Sequence, residues 1–110
     1  DLGIVNYDYL VLALGTYTNY FGMQNLLEKS WPMKSVAEAL ALRNQMLKNF
    51  EEAVLSRDED HLQGLLNIVI VGGGPTGVEV AGAITEMRDK ILPKDYPELD
   101  FKRMNIFLVE

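Results

Sequence analysis

Asn67-Ile68-Val69-Ile70-Val71-Gly72-Gly73-Gly74-Pro75-Thr76-Gly77 is the stretch that decides the fold. Five residues rich in β-branched side chains read as a short buried strand, and three glycines stop it. Pro75 suits the first turn of a helix, because it has no amide hydrogen and its φ is already helical. The following residues carry no breaker until Pro93, so a helix is predicted to about Lys90. Gly72, Gly74 and Gly77 stand at the Gly-x-Gly-x-x-Gly spacing, between a strand and a helix, which is the setting that gives the motif meaning. Gly72 permits the tight turn. Gly74 lets a pyrophosphate approach the backbone. Gly77 lets helix and strand pack closely, and Ala81 and Gly82 are expected to keep that contact close. The helix amino terminus turns N–H groups and a positive dipole end toward the phosphates. Gly72, Gly73, Gly74, Pro75, Thr76 and Gly77 are therefore the candidate nucleotide-binding residues.

Downstream, Leu92–Asp100 holds Pro93 and Pro97 and reads as loop. Ile106–Val109 is a second buried-type strand, and Glu110 follows it. A carboxylate at the end of that strand can accept hydrogen bonds from an adenine ribose. It lies 33 residues past Gly77, against the usual spacing of about 20; the proline-bearing loop accounts for the excess. A carboxylate there favours NADH over NADPH, since it repels a 2′-phosphate.

Upstream, Ser35-Val36-Ala37-Glu38 has capping-box spacing. Apolar residues from Val36 to Leu55 follow mostly one helical face, with Arg43, Asn44, Lys48 and Glu51 on the other, so a helix is predicted from Ser35 to about Ser56. Arg57–Asp60 reads as a charged loop, with His61 a solvated surface histidine. Ile4–Val5 and Tyr9–Leu14 read as strands. Gly15–Asn25 reads as loop, and Leu26–Met33 as a connector. The fold class expected is α/β: a partial Rossmann-like βαβ unit preceded by a helix and by two strands.

The chain has 110 residues, 48% hydrophobic and 24% charged, within the range of one globular domain. Its net charge of −6 argues against nucleic acid, whose binding draws on clustered Lys and Arg. With no cysteine, a disulfide framework and a Cys-x-x-Cys pair are excluded within these residues. Asp95, Glu98 and Asp100 have no ligand-spaced His or Cys beside them, so no metal is expected. The five methionines show no cofactor spacing and read as core or edge filler. No apolar run is long enough to span a bilayer. The chain opens on Asp1 with neither an initiator Met nor a basic leader, which suggests an excised internal piece.

Four segments resemble one family over nearly the whole chain. They are Tyr7-Asp8-Tyr9-Leu10-Val11-Leu12-Ala13-Leu14-Gly15, Thr18-Asn19-Tyr20-Phe21-Gly22, the helix segment Pro32–Asn44, and Val71–Gly82. In this order and spacing they are similar to type II NADH dehydrogenases, the single-subunit NADH:quinone oxidoreductases among the two-dinucleotide-binding-domain flavoproteins. A glycine motif alone fits FAD as well as NADH. The resemblance implies NADH, because Tyr7–Gly15 looks like the late motif of the flavin domain and Gly72–Gly77 then comes second. It also implies FAD contacts at Ala13 and Gly15, a place for Glu79 near the nicotinamide, and quinone as electron acceptor. Leu14 departs from the family's usual Thr, which puts a hydroxyl role there in doubt.

The expectation is thus a piece of an FAD-dependent NADH dehydrogenase, inactive by itself. Residues 1–30 would be a remnant of the FAD domain and connector, and 31–110 the first half of the NADH domain. The parent would lie in the cytoplasm, peripheral on the inner face of the cell membrane. Open sheet edges imply a homodimer or larger species. The alternatives are another flavoprotein reductase, of the ferredoxin or rubredoxin type, and a non-catalytic nucleotide-binding, self-associating module.

Overall fold

The computed structural model describes residues 3–110; Asp1 and Leu2, the start of the expected flavin-domain remnant, lie outside the described residues. The elements run α1 Gln24–Lys29, α2 Val36–Leu55, α3 Glu59–Leu66, β1 Ile68–Val71, α4 Pro75–Lys90, α5 Leu92–Asp95, a 3₁₀ turn Phe101–Arg103, and β2 Ile106–Val109. β1 and β2 pair in parallel, Ile68 with Ile106 through Val71 with Val109. Parallel pairing demands a crossover, and α4 supplies it. The βαβ unit is the one expected from the sequence.

α2 starts as its capping box requires. Ser35 Oγ accepts from the Glu38 amide at 3.2 Å, and Glu38 Oε2 accepts from the Ser35 amide at 2.7 Å and the Lys34 amide at 2.9 Å. These backbone bonds, first that from Lys34 and then that from Ser35, hold the Glu38 carboxyl below its ordinary pKa. They satisfy donors that the first helical turn leaves without intrahelical partners.

Met46, Phe50 and Ala53 form the buried stripe of α2. They meet Leu66 of α3, Ile84 of α4, and Leu92, Leu99, Phe101 and Met104. Phe50 stands edge-to-face with Tyr96 and Phe101, at centroid separations of 5.7 and 5.6 Å. Such pairs add to the area term of burial. The methionines divide accordingly: Met46 and Met104 are core, whereas Met23 and Met33 are exposed.

Five readings are corrected. Ile4–Val5 and Tyr9–Leu14 are not strands. Their side chains are exposed, Tyr9 at 93% and Leu14 at 92%, and among the described residues no second strand lies alongside to complete a ladder. A strand exists only through its partner, so β-branched composition is not enough. Gln24–Lys29, split between loop and connector in the sequence reading, forms helix α1. His61 sits on α3 rather than in a loop; Asp58 starts that helix by accepting from the amides of Asp60 and His61. Gln63 then donates to the Arg103 carbonyl at 2.9 Å and to Asn67 at 2.8 Å, tying α3 to the chain entering β2. The Leu92–Asp100 loop contains helix α5 and, with the 3₁₀ turn after it, delivers three core residues, Leu92, Leu99 and Phe101. Gly82 is exposed with open space where its β-carbon would stand, so it does not mediate a close contact.

No residue from Gly3 to Gln45 is buried. The radius of gyration is 19.0 Å, against about 13 Å for a compact domain of this length. The core belongs to α2 and everything after it.

Candidate nucleotide site

β1 ends where the Gly72 amide donates to the Val109 carbonyl at 2.8 Å, extending the ladder one residue into the turn. Gly72 then takes φ +115°, a conformation that side chains oppose. Gly73 and Gly74 carry the chain to Pro75 at the start of α4, with Gly74 as its amino-terminal cap. No side chain caps this helix. Its first-turn amides lie beyond the intrahelical ladder. The space a β-carbon of Gly74 would take is open. An uncapped helix start facing open space is a complement to an anion such as a pyrophosphate.

Gly77 does the packing. A β-carbon there would overlap the Gly72 carbonyl oxygen and stand 3.4 Å from Leu108 Cδ1. The motif's three glycines therefore do separate work: Gly72 by conformation, Gly74 by open space, Gly77 by contact.

The parallel register carries Glu110 to the same place. Val71 pairs with Val109, so the residue after each strand lies at the same end of the sheet. The Glu110 carboxylate rests against the turn, with Oε2 3.0 Å from where a β-carbon of Gly73 would be. Gly73 and Glu110, 37 residues apart in sequence (110 − 73), thus end side by side.

Glu79 and Thr76 open onto a groove of about 370 Å³ between α4 and α2, floored by Met46, Phe50, Val80 and Ile84. This groove has no local sequence signal, because its walls come from helices far apart in the chain. Arg43, read as part of the solvated face of α2, stands at its edge. Ala13 and Gly15 are exposed in the extended amino-terminal segment, Gly15 with φ +72°. The structure does not gather residues around them into a cradle. Thr16, next to Gly15, lines a separate hollow of about 440 Å³ with Thr18, Tyr20, Lys34 and Ser35. His61 lies apart, its Nε2 2.8 Å from Glu52 Oε1 on α2.

Comparison with known proteins agrees with this geometry. Residues 2–96 match the model of the pyridine nucleotide-disulphide oxidoreductase family. The type II NADH:quinone oxidoreductase Ndh of Mycobacterium tuberculosis is 38% identical over 104 residues, which is 94% of this chain and 22% of that protein. The external alternative NAD(P)H-ubiquinone oxidoreductase B3 of Arabidopsis thaliana mitochondria is 38% identical over 95 residues, 86% of this chain and 16% of its own length. The structure of NDH2 from Plasmodium falciparum in complex with NADH superposes with a TM-score of 0.81 at 30% identity, covering 94% of this chain and 21% of that one. The chain thus spans about a fifth of the length of the relatives it matches. It belongs to the pyridine nucleotide-disulphide oxidoreductase family, and the relatives it matches are those its sequence resembles, the type II NADH dehydrogenases.

Proposed function

We propose that this chain supplies the first half of the NADH site in an FAD-dependent NADH:quinone oxidoreductase. The observation that carries the proposal is the turn itself: Gly72 at positive φ, an uncapped α4, open space at Gly74, and Glu110 against Gly73. In this reading the amides after Gly74 hold the pyrophosphate, and the Glu110 carboxylate accepts hydrogen bonds from the adenosine ribose. Glu79, at the mouth of the α2–α4 groove, orients the nicotinamide side. Bound there, NADH supplies a hydride and FAD accepts it. Residues 1–30 belong to the flavin domain and 31–110 to the NADH domain, with Ala13 and Gly15 meeting the flavin. Two features support the assignment: the NADH-bound relative superposes along nearly the whole chain, and the matched relatives are named for NADH and quinone.

Quinones dissolve in the lipid phase, so the parent protein works at a membrane surface, on the cytoplasmic side. No helix among the described residues is long and apolar enough to cross a membrane. The ferredoxin and rubredoxin reductase alternative shares the glycine turn. The Thr18–Gly22 and Pro32–Asn44 segments favour the quinone-reducing group.

The test is titration of the chain with NADH and NADPH, followed by protein fluorescence or calorimetry. Saturable NADH binding that Glu110→Gln weakens is expected. Equal response to both nucleotides in both proteins contradicts the assignment.

A second reading is self-association. Among the described residues the sheet has two strands, so each strand has an unpaired edge. Val69, Val71, Phe107 and Val109 are exposed on these strands. Open edges and uncovered apolar strands recruit further copies. Light scattering across micromolar concentrations is expected to show a dimer or larger species; a constant monomer mass contradicts it.

A further inference from the structure

We propose that Gly73 is a positioning residue for nucleotide selectivity: its missing side chain leaves the space that seats the Glu110 carboxylate, and filling that space abolishes the preference for a free 2′-hydroxyl over a 2′-phosphate. Gly73 is none of the three glycines that define the motif spacing. Its backbone does not require glycine, since the glycines with positive φ among the described residues are Gly3, Gly15, Gly22 and Gly72. Packing of the core does not require it either. The three atoms nearest to a β-carbon built on Gly73 all belong to Glu110: Oε2 at 3.0 Å, Cδ at 3.3 Å and Cβ at 3.6 Å. A methyl group there forces the neighbour to give way, and the neighbour is an exposed side chain free to do so. The consequence is a moved carboxylate rather than a damaged fold.

The position of that carboxylate matters because its two jobs depend on distance. Hydrogen bonds to a ribose hydroxyl need oxygens within about 3 Å. Repulsion of a phosphate dianion weakens as the charges separate and water enters between them. A β-branched side chain at position 73 pushes the carboxylate outward and weakens both together.

This inference rests on the reading of Glu110 as the ribose acid, and the experiment separates the two. NADH and NADPH affinities are measured for the full chain and for Gly73→Ala, Gly73→Val, Glu110→Gln, the Gly73→Val/Glu110→Gln double variant, and Gly82→Ala as a control in open space. A preference for NADH of roughly tenfold or more is expected in the parent sequence, the scale on which like charges suppress a wrong ligand. Glu110→Gln is expected to lose it, Gly73→Val to lose it as fully, Gly73→Ala to fall between, and the double variant to go no further than Glu110→Gln. Gly82→Ala is expected to keep it. A nuclear Overhauser contact between the α-protons of residue 73 and the Glu110 side chain, present in the parent protein and lost in Gly73→Val, reports the seat without any nucleotide. If Glu110→Gln loses selectivity while Gly73→Val keeps it, or if the double variant is additive, the positioning role is overturned and the ribose assignment stands. If the parent protein shows no preference, the ribose assignment falls and the inference falls with it.

Discussion

Gly77 stands so close to Gly72 that a β-carbon on the first would overlap the carbonyl oxygen of the second. That contact fixes the angle at which α4 leaves β1, and so where its free amides point. Gly77→Ala is expected to destabilise the fold by about 1–3 kcal/mol, as overpacking does. Gly82→Ala, on the same helix but in open space, is expected to stabilise by about 1 kcal/mol through helix propensity alone. Thermal unfolding by circular dichroism compares the two. Shifts of the same sign would mean that the close approach is not rigid.

Phe50 holds the centre of the core, touching both Tyr96 and Phe101 edge-to-face. Its truncation to alanine is expected to cost about 3–5 kcal/mol, a large part of the roughly 5–15 kcal/mol available to a small domain. Urea denaturation of Phe50→Ala should show a lowered midpoint or no cooperative transition. A midpoint equal to that of the parent protein would contradict the core assignment.

Glu38 makes one end of α2 sensitive to acid. Its carboxyl pKa is lowered by the Lys34 and Ser35 amides and then by the Ser35 hydroxyl. A lowered folded-state pKa means that the stabilisation is present above the ordinary glutamate value and is lost as the pH falls through the lower folded value. Helix content should therefore drop over that acidic window, and less so in Glu38→Gln. Ser35→Ala should cost about 1 kcal/mol at neutral pH. Both are read from far-ultraviolet circular dichroism against pH and temperature. Identical acid profiles for the parent and Glu38→Gln proteins would contradict the cap's role.

Tyr96 titrates late. Burial raises its pKa first, and the charges of Glu51 and Asp95 raise it further. The raised value means that its contribution to stability is complete below the ordinary tyrosine pKa and is lost as the pH climbs through the folded-state value. Phenolate absorbance of the five tyrosines should show a late component that Tyr96→Phe removes. An unchanged curve in Tyr96→Phe would count against the packing of Tyr96 on Phe50.

Hydride transfer needs the nicotinamide and flavin rings held in contact, and that geometry takes two complete domains. Ala13 and Gly15 are exposed here. The chain alone is therefore expected not to oxidise NADH when FAD and a quinone are added. Steady turnover, followed by loss of NADH absorbance, would sink that expectation.

The sequence by itself determined β1, the glycine turn, α4, β2 and the capped start of α2. Each of these is encoded among neighbouring residues: a β-branched run, a glycine spacing, a proline at the first helical turn, a Ser and a Glu three apart. The same logic failed at Tyr9–Leu14, which has the composition of a strand and, among the described residues, no partner to pair with. It also failed at α3 and α5, of eight and four residues, too short to be stable without tertiary contacts. Leu66 and Leu92 bury against residues remote in sequence, and Gln63 bonds across 40 positions to Arg103. The candidate site divides in the same way. The three glycines were legible because conformation and spacing are local. The seat of Glu110 against Gly73 and the groove beside Glu79 were decided only when parallel pairing and helix packing brought distant residues together.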